Sequence, residues 1–353
     1  MPTEPVLHPP GRIMNPADLT ARLTPFLEQE TGSRVSLGDV RSMTGGATRE
    51  AWRLDATFDA PGGGRETRKL VLLIIRPGGA RGFSARDEFD LLRALVDAGA
   101  PVPRPAFAGE AALGRPFYLM ERVDGEAIGR RIVKDDRFAA ARRVLPRQLA
   151  RALAAIHRVP IDGGKLRFLP GPRPGEPVIA GEVDRLEELY RQVAVDPHPA
   201  FELALRWLRA HLPPEGDLTL VHGDFRIGNV MVGEDGLRAV LDWELAHRGD
   251  PIEDIGWMCV RSWRFGADHR PLGGIGEREE FFAAYEEASG RRVDPEAARF
   301  WEIYGNLRWG VFTLVQVRTF LENLSPSVEL ASIGRRAAET EWELLNLMEG
   351  RAF

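Results

Sequence analysis

The pattern of apolar and polar residues predicts a chain that starts with a helix, continues in strands and ends in helices. Residues 16–29 place apolar side chains at helical spacing. Over Val35–Arg76 the pattern changes to short strands, and the apolar run Leu70–Ile75 is typical of a central strand buried on both faces. Ser84 then precedes an amphipathic helix that contains Glu88, and serine is a favourable N-cap.

The last strand of the strand-rich region is predicted over Phe117–Met120, and helical patterns dominate the sequence after it. Helices are predicted over residues 138–157, 182–193, 199–211, 277–289, 295–322 and 331–348. We therefore divide the chain into an N-terminal arm and helix (1–34), a strand-rich domain (35–125) and a mainly helical domain (126–353). This succession predicts an α+β fold.

Composition narrows the class of protein. A hydrophobic fraction of 44% and a charged fraction of 28% are typical of an ordinary globular protein. The formal charge of −5 argues against a general nucleic-acid binder, and no apolar run approaches the roughly 20 residues of a membrane span. A single cysteine, Cys259, excludes an intramolecular disulfide, and no signal-peptide pattern is evident at the N-terminus. We expect a cytoplasmic protein.

Three polar residues stand out in an otherwise apolar stretch around residues 220–244: Asp224, Asn229 and Asp242. Two short apolar runs flank Gly233–Gly236, which predicts a hairpin. The hairpin would bring Asn229, just before its first strand, near Asp242, just after its second. Amide and carboxylate oxygens are suitable ligands for Mg²⁺. Asp224 would lie on the preceding loop, where it could accept a proton from a hydroxyl group; a structural hairpin or a hydrolase loop is the alternative.

The order His222-Gly223-Asp224, then Asn229, then Asp242 resembles a protein-kinase catalytic loop and its later metal-binding aspartate. This variant is similar to the aminoglycoside phosphotransferase and choline kinase family. The sequences of its motifs look most like those of the kinase-like domains found beside some acyl-CoA dehydrogenases. The resemblance implies a protein-kinase-like two-lobed fold, with an antiparallel sheet in the N-lobe and a mainly helical C-lobe. It also implies an ATP- and Mg²⁺-dependent phosphotransferase that acts on a small-molecule hydroxyl.

The resemblance assigns a role to each polar residue of the loop. Asp224 would orient the acceptor hydroxyl and take its proton, while Asn229 and Asp242 would hold Mg²⁺. His222 would brace the loop through hydrogen bonds. Arg226 would either neutralise the γ-phosphate or pair with a neighbouring carboxylate.

The resemblance also assigns nucleotide contacts to the strand-rich domain. The turn at Gly45 and Gly46 would cover the phosphates, because glycine lets backbone N–H groups approach closely. A cation on the strand would hold the α- and β-phosphates, and Glu88 would orient it. The strand interior is aliphatic, so Arg76 at its end is the candidate, with Lys69 on the other side.

Backbone groups of Glu121 and Val123 would bind the adenine edge, if this segment is the hinge that the resemblance implies. Further on, Asp254 is expected to brace the catalytic loop, and His157 to be a structural histidine. Asp250 is either a helix cap or a substrate contact.

The acceptor is the open question. The segments expected to line its site contain arginines and aromatic residues: Trp257, Arg261, Trp263, Arg264, Tyr304, Arg308 and Trp309. Such residues suit an anionic or thioester acceptor, such as a hydroxyacyl-CoA or a hydroxy acid, unless they are simply core aromatics and surface arginines. An antibiotic kinase and a nucleotide-binding pseudokinase are the alternatives. The sequence leaves the choice of ATP or GTP and the oligomeric state open.

Overall fold

A computed structural model describes residues 14–43, 49–59, 63–75, 83–324 and 327–351. The chain forms two compact units. The first runs to Asp124 and includes the later segment Asp162–Phe168, and the second comprises Gly125–Ile161 and Leu169–Phe353.

An antiparallel five-stranded sheet and two helices build the first unit. Its elements are α1 (Pro16–Thr31), β1 (Val35–Met43), β2 (Arg49–Asp59), β3 (Arg65–Ile75), α2 (Ala85–Asp97), β4 (Pro105–Gly109) and β5 (Phe117–Glu121). The strand order is β1-β2-β3-β5-β4. The predicted apolar strand is therefore central, as β3, although it starts at Arg65 rather than Lys69.

Burial of apolar side chains on this sheet explains both helices. Leu19, Leu23 and Leu27 lie on one face of α1 and are fully buried in the same core as Trp52 and Phe117 of the sheet. The N-terminal helix is thus part of the first unit. In α2 the predicted Ser84 cap forms a capping box with Asp87, which satisfies N–H groups of the first helical turn.

Helices dominate the second unit, which contains two small two-stranded sheets. Its elements are α3 (Gly129–Lys134), α4 (Ala139–Ile156), α5 (Val178–Val193), α6 (Pro199–Ala210), β6 (Thr219–Val221), β7 (Val230–Gly233), β8 (Gly236–Val240), β9 (His247–Gly249), α7 (Ile252–Cys259), α8 (Arg278–Ser289), α9 (Pro295–Leu321), α10 (Val328–Gly334) and α11 (Ala337–Met348). Strand β6 pairs with β9, and β7 with β8. Within the described ranges, no helix has the length and hydropathy needed to cross a membrane.

Several features of this unit differ from the prediction. The sequence analysis does not predict the short elements α3, β6 and β9, and the helix predicted over 331–348 is two helices. Helix α10 ends at Gly334, where a Cβ atom would lie 2.5 Å from the Cβ of Val317 on α9. The close contact with α9 places the break at Gly334, and the chain turns at Arg335–Arg336 before α11 begins.

Close packing of α7 against α9 positions the acidic residues of α7. Every residue of α7 is buried. At Gly256 an added Cβ would lie 2.5 Å from the Cβ of Trp301, and it would also meet the Trp301 backbone. Only glycine therefore allows α7 to approach α9 this closely. Asp254 lies two residues before Gly256 in the same helix, so this packing also positions Asp254.

We predict that Gly256→Ala destabilises the protein. Overpacking against Trp301 should outweigh alanine's better helix propensity and lower the free energy of unfolding by about 1–2 kcal/mol. Urea denaturation would measure it. Gly216→Ala is the matched control, because nothing lies within 4 Å of a Cβ at that position. Equal stability of the two variants would contradict the packing argument.

Candidate active site

A buried carboxylate holds the loop that carries the His-Gly-Asp sequence. Asp254 accepts hydrogen bonds from the backbone N–H groups of His222 (2.7 Å) and Gly223 (2.9 Å). It also accepts one from Nε2 of His157 at 3.1 Å, whose Nδ1 lies 2.7 Å from the Tyr285 hydroxyl. These contacts agree with the brace expected of Asp254, and they tie His157 to the same loop.

The environment of Asp254 favours its ionised form. Full burial alone would raise its pKa, but hydrogen bonds from the His157 ring and the His222 backbone hold the pKa of Asp254 below its ordinary value of 3.8. A buried charge of this kind is tolerated only when it is paired and hydrogen-bonded.

Gly223 occupies the position at which protein kinases have arginine. Its φ of 78° lies in the left-handed region, which favours glycine. A Cβ there would also collide with the carbonyl oxygen of Leu245. The loop therefore requires glycine both for its backbone angle and for the close approach of Leu245.

Three side chains fix the carboxylate of Asp224. Oδ1 accepts hydrogen bonds from Arg226 Nε at 3.0 Å and from Trp257 Nε1 at 2.7 Å. Oδ2 accepts one from Nδ2 of Asn229 at 2.5 Å, and the same nitrogen also donates to the Asp224 backbone oxygen at 3.0 Å. The carboxylate is thus held in one orientation without being fully buried.

His222 connects this loop to the segment that carries Asp242. Its Nδ1 accepts a hydrogen bond from the Asp224 N–H at 3.1 Å, and its Nε2 donates to the Leu241 carbonyl at 2.9 Å. The imidazole also packs 4.4 Å from the Trp243 ring. Both ring nitrogens are therefore engaged in holding the backbone.

The hairpin places Asn229 and Asp242 at one end of a strand pair. Val230 pairs with Val240, and the Leu241 N–H donates to the Asn229 carbonyl at 2.8 Å. Asp242 has a φ of 66°, in the left-handed region that few non-glycine residues adopt, although aspartate is one of the residue types that tolerate it. The hairpin forms as predicted, except that its second strand starts at Gly236, within the predicted turn.

The donor set at this end suits a hard divalent cation. With the Asn229 nitrogen bonded to Asp224, its amide oxygen is the atom that can act as a ligand, together with the Asp242 carboxylate. Mg²⁺ takes one or two protein oxygen ligands and completes its octahedron with phosphates and water. No cluster of three or more His, Cys, Asp or Glu suited to a metal occurs among the described residues.

Arg226 adopts one of the two geometries expected of it. Besides its 3.0 Å ion pair with Asp224, its guanidinium stacks 4.5 Å from the centre of the Trp263 ring. Arg226 therefore pairs with a carboxylate in this structure. Its role toward a phosphate stays a prediction.

Most of the aromatic and arginine residues expected at the acceptor site are buried. Arg264 pairs with Glu302 at 3.0 Å, and Arg308 pairs with Glu253 at 3.0 Å, so both charges are neutralised inside the unit. The expectation that they bind an anionic acceptor therefore has no support in the structure. Arg261 differs, because it lines a cavity of about 390 Å³.

Asp250 acts as a helix cap. Its Oδ1 accepts a hydrogen bond of 2.7 Å from the N–H of Ile252, the first residue of α7. Burial raises the pKa of Asp250 to about 6. Asp250 thus binds the first N–H of α7 from the residue before its N-cap, Pro251, and a substrate contact of Asp250 stays a prediction.

In the first unit, Glu88 lies in a polar cluster that the sequence did not reveal. Arg49 donates to one of its carboxylate oxygens at 3.0 Å, and the Tyr118 hydroxyl donates to the other at 2.8 Å. Lys69 is exposed, and its Cα partner is Asp55. The predicted residues Gly45, Gly46 and Arg76 lie outside the described residues.

The segment predicted to bind adenine has part of its backbone engaged. The Glu121 N–H donates to the Arg104 carbonyl at 2.8 Å. In the described parts of the chain, no backbone carbonyl accepts the N–H of Val123. Both residues stay predictions as nucleotide contacts.

Sequence reasoning missed two contacts: that of Arg49 with Glu88, and the bond from Trp257 to Asp224, since Trp257 was named only as a residue of the acceptor site. Arg49 follows the Gly-Gly turn closely, and Trp257 lies three residues after Asp254, one helical turn along α7. Either position could have signalled a role, but the contact of Arg49 with Glu88 spans 39 residues.

We predict that Asp254→Asn lowers the free energy of unfolding by about 1.5–3 kcal/mol at pH 7, because charge-assisted hydrogen bonds are lost. A lowered pKa gives stability that is present above the ordinary value and lost as pH falls through the folded-state pKa. The difference from wild type should therefore shrink below about pH 4. Urea denaturation at several pH values would measure it.

Asp184→Asn is the control for this experiment, since Asp184 pairs with Arg209 on the surface, with 60% of its side chain exposed. It should change stability by less than about 1 kcal/mol. A loss in Asp254→Asn that is the same at pH 3 and pH 7 would contradict the role of the charge.

Comparisons with known proteins identify the family of this chain. The sequence matches the model of the phosphotransferase enzyme family over residues 50–301, more than half of the chain. Mouse acyl-CoA dehydrogenase family member 10 is 34% identical over 181 residues, 49% of this chain. The chain matches only 16% of the length of that mouse protein.

Solved structures show the same fold. A crystal structure from Ralstonia eutropha JMP134, provisionally described as an aminoglycoside phosphotransferase, has a TM-score of 0.72 at 23% identity, covering 94% of this chain and 98% of that one. A thermostable mutant of aminoglycoside phosphotransferase APH(4)-Ia, in a ternary complex with AMP-PNP and hygromycin B, has a TM-score of 0.57 at 18% identity, with 94% and 98% coverage. At these identities the structures establish the fold alone. The predicted α+β, protein-kinase-like fold is confirmed, and the chain belongs to the phosphotransferase enzyme family.

Proposed function

We propose that this protein transfers the γ-phosphoryl group of ATP to the hydroxyl group of a small molecule, with Mg²⁺ bound at Asn229 and Asp242. The observation that carries the proposal is the fixed carboxylate of Asp224. It is held by Arg226, Trp257 and Asn229 on a loop that the buried Asp254 anchors.

In this proposal Asp224 acts mainly by orienting the acceptor hydroxyl. Phosphoryl transfer passes through a loose transition state, so the enzyme contributes mainly positioning and charge stabilisation. Held by its three donors, Asp224 accepts a hydrogen bond from the acceptor hydroxyl, directs its oxygen toward the phosphorus and receives its proton as the new bond forms. His222 maintains this geometry, because its two ring nitrogens join the Asp224 loop to the backbone before Asp242.

Asn229 and Asp242 provide the metal site. The Asn229 nitrogen is directed to Asp224, so the ligand that it offers Mg²⁺ is its amide oxygen, and the Asp242 carboxylate is the second ligand in this proposal. When bound, Mg²⁺ supplies charge neutralisation to the phosphate oxygens.

The first unit supplies the nucleotide contacts in this proposal. Gly45 and Gly46 cover the phosphates, and backbone groups of Glu121 and Val123 bind the adenine edge. Glu88 orients the phosphate-binding cation. The AMP-PNP complex of a structural neighbour supports a nucleotide as the donor.

A hydroxyacyl-CoA or a related hydroxy acid is the acceptor that we propose to test first. The support is the mouse relative, whose name is acyl-CoA dehydrogenase family member 10. The buried arginines no longer support it, because Glu302 and Glu253 neutralise them.

An aminoglycoside or another antibiotic is the second candidate acceptor. The support is the structural neighbour that was crystallised with hygromycin B. The cavity beside Arg261 does not add to it, because Arg261 and Arg336, which both line the cavity, pair with its carboxylates Asp268 and Glu339. A pseudokinase is the third reading, and the fixed geometry of Asp224 and Asn229 argues against it.

We predict that Asp224→Asn lowers turnover by about 10²–10³-fold, because removing a positioned proton acceptor has effects of this size. The affinity for ATP should change little. Transfer from radiolabelled ATP would be measured with hydroxyacyl-CoAs, hydroxy acids and aminoglycosides as acceptors. Asp235→Asn is the control, since Asp235 lies at the hairpin tip with 72% of its side chain exposed. Unchanged turnover in Asp224→Asn would refute the assignment.

We predict that Asp242→Asn weakens the binding of Mg²⁺–ATP but leaves the affinity for metal-free ATP nearly unchanged. Asparagine tolerates the left-handed backbone, so the substitution removes the charge without adding strain. Loss of one charge-assisted contact corresponds to about a 10–100-fold change in affinity. Calorimetric titration with and without Mg²⁺ would measure it. Equal affinities for Mg²⁺–ATP in variant and wild type would remove Asp242 from the metal site.

A further inference from the structure

Helix α7 carries a second acidic residue, Glu253, which directly precedes the Asp254 that anchors the loop. Trp257, four residues after Glu253, donates its indole N–H to Asp224 Oδ1 at 2.7 Å. Side chains four residues apart lie on one face of a helix, so Glu253 and Trp257 share a face of α7. Each of the two residues is only 2% exposed. The contacts of this buried face therefore decide how firmly the indole holds Asp224.

Arg308, on α9, contacts both residues of this face. Its Nη1 lies 3.0 Å from Oε1 of Glu253, and its guanidinium carbon lies 4.9 Å from the centre of the Trp257 ring. The ring of Phe312, about one turn further along α9, lies 5.3 Å from the same carbon. Arg308 is 4% exposed, so water screens these contacts little. A desolvated guanidinium over a tryptophan face is attracted to it by about 2 kcal/mol.

The close approach of the two helices makes the contact between Arg308 and Trp257 possible. At Gly305, three residues before Arg308 on α9, an added Cβ would lie 2.8 Å from Cγ2 of Val260 and 3.3 Å from Cε3 of Trp257. Residues three apart are neighbours on one face of a helix. Arg308 therefore extends from the part of α9 that lies directly against Trp257.

Glu253 is fixed on its other side as well. Its Oε2 lies 3.0 Å from Nε2 of His247, on β9, which pairs with β6 just before the loop that carries Asp224. Burial alone would lower the pKa of the Arg308 guanidinium, but the charge of Glu253 and, to a smaller extent, that of Asp224 hold it above its ordinary value. Arg308 is therefore charged, as both the ion pair and the attraction to the indole require.

Net stability alone does not explain this buried pair. The cost of removing two charges from water usually offsets their attraction, and apolar side chains of similar size often stabilise a core equally well. What an apolar residue at position 308 could not do is hold the indole through a charged, planar group that is itself held by Glu253. The pair thus adds orientation to the packing of α7 against α9.

We propose that Arg308 is a positioning residue for the transfer reaction: held by Glu253, it fixes the Trp257 indole, whose N–H keeps the Asp224 carboxylate in one orientation. The proposal rests on the proposed function, because Asp224 is the group that receives the proton of the acceptor. In it Arg308 contacts neither nucleotide nor acceptor. It acts through Trp257 and a single hydrogen bond.

Hydrogen exchange of the Trp257 indole N–H tests the contact without any substrate. It is followed by NMR on protein with isotope-labelled tryptophan, and Trp257→Phe identifies the signal. Arg308→Lys keeps the charge beside Glu253 but lacks the planar group that stacks on the ring. We expect the Trp257 N–H to exchange about tenfold faster in this variant, the size expected for loss of one desolvated cation–π contact.

Two controls show whether a change is local. The indole of Trp52 donates to Glu50 at 3.0 Å in the first unit, so its exchange should be the same in Arg308→Lys and wild type. Arg299→Lys is the matched variant on α9. The Arg299 guanidinium lies 5.7 Å from the centre of the Trp207 ring, with 32% of its side chain exposed, and its replacement should leave the Trp257 signal unchanged.

Transfer of radiolabelled phosphate from Mg²⁺–ATP, to water or to the acceptors tested with Asp224→Asn, measures the consequence for the reaction. Arg308→Lys should lower kcat about tenfold and change the KM for ATP by less than about twofold, because Arg308 acts only on the positioned carboxylate. In a Trp257→Phe background, Arg308→Lys should lower kcat no further, because the indole N–H is absent. A purely structural role would give equal losses in both backgrounds.

Two results would overturn the proposal and leave the proposed function intact: unchanged exchange of the Trp257 N–H in Arg308→Lys, or equal losses of kcat with and without the indole. A wild type that transfers no phosphate would refute the proposed function and, with it, the catalytic role of Arg308. Should Arg308→Lys fail to fold, Glu253→Gln replaces it. This variant removes the charge that holds Arg308, so unchanged exchange of the Trp257 N–H in it would equally overturn the proposal.

Discussion

The hydrogen bonds that Asp254 accepts from the backbone of His222 and Gly223 are the constraint on which the rest of the site depends. They join α7 to the loop after β6, in an interior where an unpaired carboxylate would be costly. Because α7 packs against α9 through Gly256, the helical core determines the position of the loop. The rigidity of Asp224 is thus a property of the packing of two helices as much as of the loop.

Two further features extend this constraint to the end of the hairpin that we propose binds Mg²⁺. His222 binds the Asp224 N–H on one side and the Leu241 carbonyl on the other. Asp242, the residue after Leu241, adopts a left-handed backbone, which few non-glycine residues do. The surrounding hydrogen bonds and the Trp243 ring packed on His222 hold the chain there.

Much of this arrangement could be predicted from the sequence, because it depends on local patterns. The order of Asp224, Asn229 and Asp242, the hairpin between them and the capped helix containing Glu88 each follow from spacing and residue type. What failed depends on contacts between distant segments. Arg49 is 39 residues from Glu88 in the sequence, and the two meet because β2 begins beside the end of β3. The arginine at position 264 looks like a binding residue until Glu302 is placed beside it.

The proposed activity requires this chain to bind a nucleotide through a magnesium-dependent site. Thermal unfolding with millimolar ATP, with and without Mg²⁺, is the direct test, since a ligand that binds the folded state raises the unfolding midpoint. We expect a rise with ATP that is larger when Mg²⁺ is present. No shift with ATP or GTP under either condition would contradict it and would leave a kinase-like fold without a nucleotide.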